Sequence, residues 1–471
     1  MNTSFTKPKN SKAAEIVRQV LLSKFFPFVT MAVVILCYYL SLDIVTICYL
    51  GIAGILIMLF LDDVSPIVTV MLFMNVIISW KNSPASGRGE SDYFFRPEIL
   101  APLIIIVTLL IASLVYRLVI TCVRKKFKLD PVFFGLCVFS VALLLNGAGN
   151  KNYTFFNLLY AVILALLFLG LFAVLKDNVT ADRCSYERIC YSFVAFGLLL
   201  IIELAVLYAT KDAIFAGGTI DRNQIVFGWG VYTTYGALLT MCIPAAFYLA
   251  YAKKFGFVYT LISVIMLVAL IFSCCRQAMV CAAVIYPVCT VMLLVKGNDK
   301  IANLCIFAAS LIGGIVVAGL FQDKVIDFFK TIYSNIVVNG ELYGSGRMEL
   351  WRQAIMDFKS FPLFGRGFYN IKPDTDFSYT PIPMDMAHNT ILEMMSACGI
   401  IGLLGYALHR VQTFICFFKN PTTERSFIAL IVASLLINSL LDNHILNIIP
   451  TMVYSLLIAV LVKGQSKNAS R

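Results

Sequence analysis

The sequence predicts an all-α polytopic membrane protein of about 12–14 transmembrane helices, with one long extracytoplasmic loop carrying an amphipathic helix. Three observations predict it. Apolar residues make up 60% of the 471 and charged residues 13%, against about 45–50% and about 25% in soluble domains. The apolar residues fall in continuous runs of roughly helix-crossing length, without the alternation of a barrel strand. The basic residues are shared unevenly between the connections. Together these exclude an ordinary cytosolic enzyme, a disordered chain and a secreted disulfide scaffold. The 14 cysteines lie mostly inside apolar runs, as at Cys37, Cys137, Cys242 and Cys305, where thiols act as small hydrophobes.

Taken in order, the runs fall at about 25–42, 44–61, 65–80, 98–120, 130–147, 155–175, 190–209, 231–252, 256–274, 277–295, 301–320, 388–408, 426–442 and 447–462. The first three are short and close together. With the N-terminus inside, the inner connections collect Lys7, Lys9, Lys12, Arg18 and Lys24, then Arg124, Lys125, Lys126 and Lys128, then Lys176, Arg183, Arg188, Lys253, Lys254, Lys296 and Lys300, and finally Arg410, Lys419, Arg425, Lys463, Lys467 and Arg471. That asymmetry predicts cytoplasmic N- and C-termini for a multi-pass chain. The net charge of +11 is then largely orientation charge, and no nucleic-acid partner is expected. Met1 to Ser11 is polar, and the first apolar run reads as a retained helix rather than a cleaved signal.

One hydrophilic interruption is long, and it divides the chain into residues 1–320, the loop 321–387 and residues 388–471. Within it Leu350, Ala354 and Phe358 form one helical row, and Trp351 and Ile355 the next. Ser345 and Gly346 precede that stretch, Glu349 sits in its first turn and Pro362 follows it. These are helix start and stop signals.

Ionisable groups near the lipid boundary mark functional sites by default. Of the three histidines, His409 lies at an inner helix end beside Arg410, and His444 in the last outer turn. Both fit helix-end residues satisfied by water or backbone. His388 has more telling company. Arg276 sits at a nearly loopless helix turn. Arg347 opens the loop helix, and Arg366 lies between Gly365 and Gly367, where backbone can approach a ligand. Together Arg276, Arg347, Arg366 and His388 would form a cationic site suited to a lipid-linked diphosphate, because Arg forks match phosphate. No Walker A loop, HExxH, GxSxG or CxxC pair occurs. An outer Asp374-Thr375-Asp376 could hold a metal against a diphosphate, although a solvated turn is the simpler reading of three letters.

Arg347 with Trp351, then Phe364-Gly365-Arg366-Gly367-Phe368, then His388-Asn389 leading into Gly399-Ile400-Ile401-Gly402-Leu403, resemble the O-antigen ligase and Wzy-type polymerase family. Its pattern is an Arg and a Trp on the loop helix, a Gly-x-Gly, then His-Asn and a Gly-Ile/Leu-x-Gly helix. Ser273 to Arg276 is similar to the family's Ser-Arg, with two cysteines inserted. The resemblance is looser over Arg222 to Arg276. Where the family often has Pro-Asn, this chain has Asp221-Arg222-Asn223-Gln224.

The resemblance implies a metal-independent membrane glycosyltransferase with no cofactor, so that Asp374 and Asp376 would not be metal ligands. It would move a glycan from an undecaprenyl-diphosphate-linked oligosaccharide to a saccharide acceptor on the outer face. Arg276 and Arg347 would hold the diphosphate and His388 would be the general base. Arg366, Arg222, Asn389 and Trp351 are the further donor- or substrate-binding candidates, and Tyr369 could stack on a sugar beside Trp351. The favoured reaction is polymerisation of capsule or O-antigen repeat units, with membrane lipids and a chain-length regulator as partners. Ligation of a finished glycan to a lipid or surface acceptor is the alternative within the family, and a lipid-linked oligosaccharide flippase is the alternative outside it.

Overall fold

The computed structural model describes residues 12–81, 93–124, 130–151, 153–215, 220–320, 322–323, 326, 337–338, 341–342, 347–368 and 386–468. Apart from a two-residue pairing of Val337–Val338 with Glu341–Leu342 and a single bridge between Val226 and Val231, these residues are helical or irregular. The helices are α1 (Lys12–Leu22), α2 (Phe26–Leu40), α3 (Asp43–Phe60), α4 (Ile67–Phe73, continued by a tight turn to Val76), α5 (Pro97–Arg124) and α6 (Pro131–Leu144). Next come α7 (Phe155–Leu175), α8 (Arg183–Thr210), α9 (Tyr232–Ala252), α10 (Gly256–Phe272), α11 (Arg276–Lys296) and α12 (Lys300–Leu320). Then follow α13 (Arg347–Ser360), α14 (Thr390–Phe418), α15 (Thr423–Leu441) and α16 (Ile448–Asn468).

Local chemistry sets many of the boundaries. Asp130 caps α6 by accepting from the Phe133 amide at 2.9 Å, with Pro131 as the first helical residue. Asp182 caps α8 through the Ser185 amide at 2.8 Å, and Thr422 caps α15 through the Arg425 amide at 3.2 Å. Each satisfies an amide that has no partner within its helix.

Among the described residues ten helices are long and apolar enough to cross a membrane, or up to 11 if the pair α1–α2, bent by 82°, is one crossing. The shorter apolar helices Ile67–Val76, Pro131–Leu144 and Gly256–Phe272 supply the rest of the expected runs. At about 1.5 Å per residue, Ile67–Val76 is too short to span the hydrocarbon alone. The chain is a multi-pass membrane protein.

The bundle is built around α9. Of its most apolar window 94% is buried, and it packs on α8, α10, α11 and α15. Small residues make this possible, since helices in lipid associate by close backbone approach. A Cβ on Gly236 would lie 2.7 Å from Cys275, and one on Gly197 2.4 Å from Met266. By contrast α5 and α12 are only 11% and 6% buried and form the periphery.

The loop helix expected before Pro362 is α13. Its Leu350–Ala354 row packs on Ala387 and Leu392. Ser345, Gly346, Tyr369, Asp374 and Asp376 lie outside the described residues.

α13 is held to α14 by an exchange of backbone hydrogen bonds. α14 breaks at Gly399, where φ is +62° and ψ −157°. An unbroken helix would bond Ile400 and Ile401 amides to the Ser396 and Ala397 carbonyls. Here the Ile400 amide donates to Pro362 at 2.8 Å and the Ile401 amide to Leu363 at 3.3 Å. The two abandoned carbonyls accept instead from Arg366 at 2.8 Å and Gly367 at 3.0 Å. The other side of this turn is clamped by the α6–α7 connection. Gly147 donates to the Phe364 carbonyl at 2.7 Å, Asn150 to the Arg366 carbonyl at 2.8 Å, and Asn157 to the Phe368 carbonyl.

Candidate active site

The site forms where α11 starts, α15 ends and α14 starts, with α13 alongside. α10 gives way to α11 in a very short turn. Ser273 ends α10, Cys274 has φ +55°, and the Cys275 amide donates to the Ser273 hydroxyl at 3.3 Å. Arg276 is therefore the first residue of α11, with Gln277 behind it. The next connection on the site is Asp442 to Asn447, between α15 and α16.

His388 lies in a turn fixed from three sides. Its φ is +49°, a left-handed conformation uncommon for a residue with a Cβ. The Ala387 carbonyl accepts from the Trp351 indole at 2.9 Å. The Ala387 amide donates to the buried Glu393 carboxylate at 2.7 Å, and Asn443 donates to the same oxygen at 3.3 Å. Asn389 then caps α14, its amide oxygen accepting from Ile391 and Leu392 at 3.0 and 3.1 Å. The Asn389 amide nitrogen donates to the Leu440 carbonyl at 2.9 Å.

So presented, the His388 imidazole meets Asp442, with Nδ1 at 2.8 Å from Oδ1. The same carboxylate faces the Arg347 guanidinium and His444 Nε2, each 3.8 Å from Oδ2. It also accepts from the Asn443 amide at 2.8 Å. Burial pushes the Asp442 carboxyl up, but at the acid pH where it titrates the positive charges around it, His444 first, and the His388 hydrogen bond outweigh it. The net effect holds the group well below the usual carboxylate range. Asp442 is therefore ionised, and Nδ1–H of His388 donates to it. That fixes the tautomer with Nε2 as the acceptor. The His388 side chain is 44% exposed, so this nitrogen can meet a substrate.

Burial lowers the His444 pKa, helped by His388 and Arg347 and opposed by Asp442. A neutral His444 accepts at Nε2 from the Gln277 amide, 2.8 Å away. Gln277 in turn accepts from Arg347 at 3.4 Å, and the other Arg347 nitrogen donates to the last α15 carbonyl, Leu441, at 2.7 Å. That carbonyl is at the negative end of the α15 dipole.

Arg276 has Arg222, Tyr232 and Arg347 as electrostatic neighbours. The Arg222 guanidinium lies over the Tyr232 ring, 5.6 Å from its centre. Arg222 and Arg347 thus both bear on Arg276, and Arg347 also faces Asp442. Such a cluster can hold a multiply charged anion, with a base beside it.

Of the residues singled out from sequence, His388, Arg347, Arg276 and Arg222 come together. Trp351 and Asn389 build the His388 turn through their hydrogen bonds. Arg366 points to different work: its guanidinium donates to Asp357 at 2.8 Å. Asp357 is buried and also accepts from Gln353 at 2.9 Å and Ser396 at 3.2 Å. The flanking glycines serve the backbone, since φ is +70° at Gly365 and +94° at Gly367. A Cβ on Gly365 would lie 2.3 Å from the Ala397 backbone. His409 is fully buried against the Tyr454 hydroxyl at 2.8 Å, a packing role. Asp442, Gln277 and Glu393 were not anticipated. The signal available was the run Asp442-Asn443-His444, three polar residues between two apolar helices.

Residues 261–407 match the family model described as O-antigen ligase. The match runs from within α10 into α14 and includes Arg276, Arg347, Trp351, Arg366, His388 and Asn389, while Arg222 and Asp442 lie outside it. No curated protein matches the chain.

Proposed function

From the match of residues 261–407 to the O-antigen ligase model together with the site geometry, we propose that the chain polymerises capsule or O-antigen repeat units. The donor is an oligosaccharide on undecaprenyl diphosphate and the acceptor a saccharide hydroxyl. The reaction takes place at the outer face of the plasma membrane, with both chain termini cytoplasmic. The observation that carries this reading is the His388–Asp442 pair at 2.8 Å, with Arg347 on the same carboxylate.

The acceptor oxygen attacks the anomeric carbon of the donor. Its proton passes to His388 Nε2, whose imidazolium is stabilised by Asp442. The bond from the anomeric carbon to the diphosphate oxygen breaks, and its electron pair leaves with the diphosphate. Arg222, Arg276 and Arg347 balance the charge that builds there, as preorganised donors do in other transfer reactions. His388 then gives up its proton to solvent or product, and the base is restored.

Replacing His388 or Arg347 with Ala, with membrane insertion confirmed, should lower transfer by about 10²–10³-fold and remove the surface glycan ladder on a gel. Wild-type amounts and chain lengths would overturn the assignment. The description of the matched family favours ligation as a second reading. The donor chemistry would be the same, and the products separate the two: a polymerase makes a ladder from single units, and a ligase moves a finished chain once.

A further inference from the structure

At the opposite end of the bundle from this site, an apolar groove of about 500 Å³ opens at the bend between α1 and α2. Phe28, near the start of α2, packs edge-on against Tyr191 near the start of α8, with ring centres 6.1 Å apart. The far end of α8 reaches the site, where the Tyr208 hydroxyl donates to Phe272 at 2.6 Å, just before Arg276. The groove and the cationic site therefore sit at opposite ends of α8.

Val20, Phe25, Val29, Tyr49, Ile52 and Leu56 line the groove, which is almost wholly apolar. Its size falls in the range of small-molecule pockets, about 300–1,000 Å³. Two cations flank its lining residues on α1 and in the bend. Arg18 is anchored by its Nε donating to the last α3 carbonyl, Phe60, at 3.0 Å, and its guanidinium pairs with Glu15 at 3.9 Å. Lys24 is exposed in the bend, its ammonium 5.2 Å from the Phe25 ring centre. Between α1 and α2 the chain turns by 82°, so α1 lies across the end of α2 as an interfacial helix lies on a membrane.

We propose that this groove is a binding site for one acyl chain of an anionic phospholipid, whose headgroup phosphate is held by Arg18 and Lys24. An apolar slot alone would take any lipid chain. Lys24 and Arg18 beside it outnumber the one carboxylate paired there, Glu15, and select the anionic headgroup, as basic residues beside a membrane surface do. The α1–α2 bend is then a lipid-clamped anchor, separate from the glycan-transfer chemistry.

The test uses the full-length protein in mild detergent, titrated with dioleoyl-phosphatidylglycerol or dioleoyl-phosphatidylcholine and read by native mass spectrometry. The wild type should bind the anionic lipid about tenfold more tightly. Lys24→Glu, at an exposed position, should abolish that preference while leaving chain binding. Val29→Trp, on an exposed wall of the groove, should weaken both lipids. Equal affinity of the wild type for the two lipids would overturn the proposal. So would unchanged selectivity in Lys24→Glu, or unchanged binding in a Val29→Trp protein that keeps its unfolding temperature.

Discussion

His388 gains its chemistry from a residue 54 positions away in sequence. Asp442 directly follows α15, orients the imidazole and shares its charge with Arg347. An Asp442→Asn variant keeps a hydrogen-bonding group of the same shape but loses the charge that stabilises the imidazolium. Transfer should fall about 10²–10⁴-fold, the range spanned by general-base catalysis, while donor lipid binding stays near wild type. Intact turnover in Asp442→Asn would remove the dyad from the mechanism. The same cluster sets a pH dependence of stability. His444 is buried with a lowered pKa, so the unfolded chain binds more protons below about pH 6.5. Asp442 is also lowered, which extends the effect through about pH 4. Both signs agree: stability is full above these ranges and falls on acidification. The unfolding temperature in detergent should therefore drop from about pH 6.5 downward, and His444→Gln should flatten the upper limb of that drop. At this scale His388 and Arg347 were legible because ionisable groups are rare beside lipid. Arg366 shows its guanidinium on Asp357, which its sequence does not announce, because glycines flanking an arginine look the same whether they admit a ligand or a neighbouring helix.

The element that most needs its glycine is α14. A Cβ on Gly399 would lie 2.5 Å from the Leu363 backbone, at φ +62°. Backbone cannot yield as a flexible side chain can, so Gly399→Ala should cost at least about 1–3 kcal/mol and loosen the His388 turn. Gly313, in peripheral α12, has nothing within 4 Å of a built Cβ. Gly313→Ala should be neutral or stabilising by about 0.5–1 kcal/mol. Unfolding temperatures of the two variants decide the matter, and equal effects would refute the account of the break. The sequence shows the two motifs, Gly365-Arg366-Gly367 and Gly399-Ile400-Ile401-Gly402, as separate strings. That they trade hydrogen bonds could not be read from either, because helical periodicity continues through the break.

Across the molecule, hydropathy gave away the class and the runs but not the arrangement. The most buried span, α9, has the lowest mean hydropathy of the ten, 1.4, while α5 at 2.7 is 11% buried. The reason is physical: a helix surrounded by protein is free of the demand that lipid places on its surface. The centre of the bundle is thus marked by small and polar residues, Thr240 and Gly236 among them, rather than by its greasiest run. Because α9 packs against the turn before Arg276 through Gly236 and Cys275, its packing reaches the site. Gly236→Leu would press on Cys275, now 2.7 Å from a built Cβ, and displace Arg276. A shift of this kind typically costs about 10²-fold in rate. Transfer assays on a variant that still inserts and folds should show it, and full activity would separate α9 packing from the site.

The backbone exchange at Gly399 also bears on how the protein is made. Until residues 361–368 are in place, the first half of α14 offers two carbonyls and the second half two amides with no partner. In hydrocarbon each such group costs several kcal/mol. α14 cannot settle in its final shape as an isolated segment leaving the insertion machinery. The stretch translated just before it must fold back and the α6–α7 connection must already stand. Membrane insertion of this helix is thereby tied to the order in which the chain emerges.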